Sequence, residues 1–160
     1  MLESVYKNCK ILKILDSQAA GQTDPTTDIV DVQNYDGACF ICKLGTVTDG
    51  AAVTMTVYSD DDSALGDAAA LTGASAAIAV ADADSEQSLV VEVIKPTERY
   101  LRATVVRDTQ DSEIDSVFCI LFNPRKLPVD QPDTIDAAAS VVARRRFKTL
   151  RTIFLGGMIK

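Results

Sequence analysis

"ACFICKLG", residues 38–45, places two cysteines three positions apart among apolar neighbours. Read as chemistry, Cys39-x-x-Cys42 opens a zinc or redox site; read as architecture, it is a β-strand. Side chains alternate along a strand, so positions three apart point to opposite faces and cannot both reach one tetrahedral ion. A redox pair needs the start of a helix, where the dipole lowers the thiol pKa. Here the flanks are Phe40, Ile41 and Leu44, with no helical pattern following, no histidine and no second Cys-x-x-Cys. The segment is therefore a strand. Phe40 shares a face with Cys42, and Ile41 shares one with Cys39, so few positions on either face are polar. Such a strand is expected to be covered within by a second sheet and without by a strap or a neighbour. Cys9, Cys39, Cys42 and Cys119 all sit in apolar runs and are expected to be reduced core thiols, as in a protein made in the cytosol.

Working outward, the same period recurs. "AAVTMTVYS" (51–59) puts Val53, Met55 and Val57 on one face and Thr54, Thr56 and Tyr58 on the other. "IVDVQ" (29–33), "SLVVEVI" (88–94), "RYLRATVVR" (99–107) and "SVFCILFN" (116–123) also read as strands, and "YKNCKILKIL" (6–15), which would suit a strand or a short helix, is read as a strand. Between them, "AAGQTDPTTD" (19–28) reads as a loop, while Asp36-Gly37 and "TDG" (48–50) read as hairpin turns. The Ala-, Asp-, Ser- and Gly-rich stretch 60–87 predicts a long excursion with one helical turn at 63–71 and a strand at 76–81. About eight short strands separated by turn chemistry predict an all-β antiparallel β-sandwich over residues 1–123.

The style changes after Asn123. "PRKLPVDQPD" (124–133) holds three of the five prolines and predicts an extended strap. Residues 134–160 predict a basic C-terminal arm in helical form, capped by Asp133 or Thr134 and stopped by Gly156-Gly157. Its apolar residues Ala139, Ala143, Phe147, Leu150 and Phe154 fall on one helical face.

The 160-residue chain carries a net charge of −7, unevenly spread. From Arg144 onward there are six basic residues and no acidic one; the other ten basic residues face all 23 acids, leaving residues 1–143 at −13. That layout excludes nucleic acid as the main partner and predicts that the arm docks on an acidic protein surface. The partner-binding candidates are Arg144, Arg145, Arg146, Phe147, Lys148, Leu150, Arg151 and Phe154. No apolar run approaches the ~20 residues of a membrane span, so no membrane partner is expected. The N-terminus lacks the apolar core and small-residue cleavage site of a signal peptide.

Chemistry finds little to build on. Without histidine, the commonest general base and zinc ligand is missing. "SDDDS" (59–63) supplies carboxylates but lacks the spacing and glycine of a calcium loop, and reads as solvated. In "KPTERYLR" (95–102), Arg99 or Arg102 would suit an oxyanion clamp, yet no nucleophile or base accompanies them. They read as forks that bridge acidic loops or a neighbouring subunit. A carbohydrate-binding module would want exposed tryptophan, which the chain lacks, and a carboxylate hydrolase has no paired residues to name. No catalytic, metal or cofactor site is expected.

A resemblance then bears on function. "DVQNYDGACFICKLGTVTDGAAVTMTVYSDDD", followed by "LVVEVIKPTERYLRATVVR" and "FNPRKLPVDQP", resembles the capsid cement (head decoration) proteins of tailed bacteriophages. Its landmarks are the Leu44-Gly45 turn, the acidic loop Ser59–Asp62, the strand start Pro96–Arg102 and the proline strap Pro124–Pro132, within residues 5–132. The resemblance implies a jelly-roll-like sandwich, made in the host cytoplasm, that sits on the outer capsid and bridges neighbouring major capsid proteins. Copies of itself, as a dimer or trimer, are implied partners. The basic arm departs from that pattern. Another virion component, a head-completion or tail protein, is the alternative reading.

Overall fold

Among the described residues nine strands carry the chain back and forth. A computed structural model describes residues 4–78, 85–133 and 135. A single helical turn, α1 (Val5–Asn8), precedes β1 (Lys10–Leu15), β2 (Gln18–Gly21), β3 (Val30–Asp31), β4 (Tyr35–Val47) and β5 (Ala52–Asp60). Then follow β6 (Ala69–Ile78), β7 (Ser88–Ile94), β8 (Tyr100–Asp108) and β9 (Ser112–Pro124).

The pairing is nested. β1 pairs with β9, β3 with β8, β4 with β7 and β5 with β6, all antiparallel. Together these make one long hairpin with its tip between β5 and β6. The hairpin is then rolled, because β9 also pairs with β4 and β8 also pairs with β5. One sheet runs β1-β9-β4-β7, with β2 also on β9, and faces a second that runs β3-β8-β5-β6. This is an antiparallel jelly roll, the sandwich that the strand pattern predicts.

The core lies between the sheets. Phe40, Cys42 and Leu44 of β4 face inward with Val53, Met55 and Val57 of β5, Leu101, Ala103 and Val105 of β8, and Val117, Cys119 and Leu121 of β9. The alternation argument for ACFICKLG is correct: Cys42 is fully buried, while Cys39 and Ile41 lie half-buried on the outer face. No disulfide joins Cys39, Cys42 or Cys119, and of the four cysteines only Cys42 and Cys119 belong to the core. Burial pushes the Cys42 thiol up to about 12 and raises Cys119 as well, so both stay protonated and inert.

Several local expectations are corrected. Asp36-Gly37 lies within β4; the chain reverses at Gln33-Asn34 instead, with Asn34 at φ 71°. Gly37 serves packing, since a side chain there would fall inside the ring of Phe122 on β9. Leu44-Gly45 is no turn either, because β4 runs on to Val47 through register shifts after Lys43. "TDG" does turn the chain, with Gly50 at φ 85°, but it joins two sheets and makes no hairpin. A turn signal encodes a reversal, and the partner of the reversed strand is chosen elsewhere. Residues 63–68 form turns with no helix, and β6 starts at Ala69 and takes in 76–78 of the strand expected at 76–81, whose remainder lies outside the described residues. Ala, Thr, Gly and Ser suffice there because the backbone ladder to β5 supplies the pairing. Part of the loop at 19–28 is also paired: β2 begins it, and Thr27 exchanges hydrogen bonds with Ala103 of β8 through both its backbone N–H (2.9 Å) and its hydroxyl (3.0 Å).

Candidate functional site

At one end of the sandwich the loops after β3, β5, β7 and β9 come together. Arg99, just before β8, donates from Nε to Asp31 Oδ1 (3.1 Å) and from Nη2 to Asp31 Oδ2 (2.7 Å), tying β8 to β3 as a two-pronged fork. Its guanidinium also lies 5.0 Å from the Tyr100 ring centroid. The hydrogen bonds from Arg99 hold the Asp31 carboxyl below its ordinary value of 3.8, helped by the Gln33 N–H. A depressed carboxylate pKa contributes stability that is present above 3.8 and is lost as pH falls through the lower folded value. Unfolding midpoints in urea should therefore fall as pH drops from 3.8 through that value, and less steeply in Asp31→Asn. Identical pH slopes in the two proteins would dismiss the fork as a contributor. The effect is small, because solvent screens the pair.

The acidic loop is organised by its own carboxylates. Asp60 accepts from the N–H groups of Asp62 and Asp67, both at 3.1 Å, and Asp62 accepts from the Ala64 N–H at 3.0 Å. Asp60 is mostly buried, and its pKa is lowered, chiefly by the Asp62 N–H. The expected solvated loop is thus a built turn whose first carboxylate faces backbone donors. Among the described residues no group of three or more His, Cys, Asp or Glu is placed to hold a metal ion.

Beside the fork runs an open groove of about 390 Å³, lined by Lys10, Tyr35, Arg125, Lys126, Pro128 and Asp130 among others. The Arg125 N–H donates to the Asn34 carbonyl (2.9 Å), and the Val129 N–H donates to the Lys7 carbonyl (3.0 Å), so residues 124–133 lie against the turn at Asn34 and against α1. Gln131 then closes the edge of β1: its Oε1 accepts from the Ile11 N–H (3.0 Å), and its Nε2 donates to the carbonyls of Tyr6 (2.7 Å) and Cys9 (2.6 Å). Burial and the nearby Asp130 raise the Tyr35 hydroxyl pKa. Three cations against one carboxylate suit a contact with an acidic surface. Arg102, the other candidate clamp, turns from the core with its Nε buried and without a hydrogen-bond partner among the described residues.

The predicted helical arm, with Arg144, Arg145, Arg146, Phe147, Lys148, Leu150, Arg151 and Phe154, lies outside the described residues. One important arginine escapes the sequence reading. Arg107, at the opposite end of the sandwich, is only 5% exposed. It donates from Nε to the Thr23 carbonyl (2.6 Å) and from Nη1 to the carbonyls of Ala19 (2.9 Å) and Ser112 (2.8 Å). The signal is parity: Leu101, Ala103, Val105 and Arg107 alternate onto one face, so this arginine belongs inside. No protein-family model matches the chain, and no curated protein matches it at a significant level.

Proposed function

We propose that the chain is a structural virion protein, a capsid cement protein that binds the outside of a phage capsid and bridges neighbouring major capsid proteins. The observation that supports this most is a convergence. Three stretches carrying the resemblance, Ser59–Asp62, Pro96–Arg102 and Pro124–Pro132, meet at one end of a jelly roll. Asp60 pairs in register with Tyr100, and Pro96–Arg99 share a groove with Arg125. What they form is an assembly surface of forks, caps and straps. Under this reading the protein is not an enzyme and needs no cofactor. Its partners are the major capsid protein and further copies of itself, and it resides on the outer shell. Weak contacts repeated by capsid symmetry supply avidity without a dominant hot spot. The arm residues Arg144 to Phe154 add cations for an acidic shell or an adjacent copy.

Imaging of the source particle tests the reading. The expected result is density for this chain between capsomers over the whole shell. Density confined to one ring at the portal or tail would replace it with the connector or tail reading, and a particle without the chain would refute both.

A further inference from the structure

The two outer faces of the sandwich differ in kind. Outside the β3-β8-β5-β6 sheet stand Thr54, Thr56, Tyr58, Arg102 and Thr104, the polar cover expected of a face in water. Outside the β1-β9-β4-β7 sheet the centre of the cover is largely apolar, with Lys13, Lys43 and Glu92 around it. Phe118, Ile41 and Val90 form one cross-strand row, and Ile120 and Cys39 belong to the next. Beyond them Phe122 lies over Gly37, with Ile94 on the far side. Val90 is 53% exposed and Ile94 65% exposed. A contiguous apolar face of this kind marks a surface that something covers.

Position, length and charge point to the occupant. Gln131 is pinned beside Ile11, whose register partner on β9 is Ile120. The segment pinned by Gln131 therefore runs at the margin of this face, beside β1. Crossing from β1 to β7 takes three strand spacings, about 14 Å, whereas a helical segment of 14 residues already spans about 21 Å. Residues 134–160 are longer than that and carry Ala139, Ala143, Phe147, Leu150 and Phe154 at helical spacing. The middle of the face holds exposed Glu92; towards one end Glu86 and Asp115 share Lys43, with Glu113 beside them, and Lys13 at the β1 side pairs with Asp16, so the face stays net acidic against an arm with six basic residues. A second copy fits less well, because a two-fold pairing of identical faces brings like carboxylates together.

We propose that the outer face of the β1-β9-β4-β7 sheet is the docking surface for the chain's own C-terminal segment, residues 134–160. In this proposal the stripe Ala139, Ala143, Phe147, Leu150 and Phe154 is the part of the segment that meets Phe118, Ile120 and Ile41, and the flanking basic residues answer the carboxylates of the face. This inference stands apart from the capsid reading, since its test uses the free protein.

Cys39 lies in the middle of the face and serves as the reporter. Full-length protein and a full-length Phe147→Asp, Leu150→Asp variant are treated with N-ethylmaleimide, and each cysteine is followed by peptide mass spectrometry. The expected result is slow modification of Cys39 in the unaltered chain and modification about tenfold faster or more in the variant. Cys42 and Cys119 should stay unmodified in both, showing that the sandwich remains folded. Equal Cys39 rates in the two proteins would overturn the proposal. So would protection of Cys39 that disappears on dilution while the mass by light scattering falls from dimer to monomer, because the occupant would then be a second copy.

Discussion

Replacing Phe40 with alanine is expected to lower the unfolding free energy by about 3–5 kcal/mol. The ring is fully buried at the centre of β4. Its backbone is held on both sides, opposite Val91 of β7 and Cys119 of β9, so the strand cannot shift to fill the cavity. Both the lost transfer energy and the unfilled volume then count against the folded state. In a chain of this size the loss corresponds to a melting temperature lower by roughly 10 °C. Urea titration should show a lower midpoint with an unchanged slope. Ile41→Ala, one residue along and on the outer face, should cost about 1 kcal/mol, as a partly exposed aliphatic side chain does. If the two variants lost the same stability, the alternation that assigns Phe40 to the core and Ile41 to the surface would be wrong.

Arg107→Met is expected to cost about 3 kcal/mol, although methionine retains much of the apolar stem. The guanidinium holds three carbonyls at once, from Ala19, Thr23 and Ser112, and among the described residues it forms no ion pair. Removing it strands those acceptors in a poorly hydrated corner, and a stranded acceptor costs more than its hydrogen bond gains. Arg107→Lys keeps the charge but offers no planar fork, so it should recover only part of the loss. Hydrogen exchange adds a local readout. Protection should drop first around β2 and residues 22–24, the segment that Arg107 fastens to β8 and β9. Wild-type midpoints with unchanged exchange in that segment would show that the arginine is dispensable.

These two residues also show where sequence reading succeeds and where it stops. Phe40 is legible because a strand has a period of two, and ACFICKLG keeps that period wherever its partners lie. The same parity excludes a shared metal for Cys39 and Cys42, and it carries the strand content as a whole. Arg107 obeys the parity rule too, but its charge invites a surface assignment. Its partners are backbone carbonyls from segments far away in sequence, which no side-chain motif announces. Arg99 was legible as a structural fork, whereas its partner Asp31 is 68 residues distant and emerges only from the pairing of β3 with β8.

Turns failed in a consistent way. Asp36-Gly37 has good hairpin chemistry, yet the glycine sits in a strand because the Phe122 ring needs the space above it. Among consecutive strands of the described residues only β5 and β6 pair with each other, so most reversals pass the chain between sheets.

Local chemistry therefore settled most of the strands, the apolar side of each, and that both sides of β4 seek cover, while β2, the first half of β6 and the helical turn α1 fell where it expected loop, helical turn and strand. Those properties follow from the pleat and from the identity of each side chain, and they need no knowledge of distant partners. The rolling of one long hairpin into a jelly roll, the burial of Arg107 and the joining of Phe118, Ile120 and Ile41 into one outer face beside exposed Val90 and Ile94 were decided by the tertiary structure. Each depends on which strand lies beside which, and that choice is made by the simultaneous burial of faces far apart in the chain.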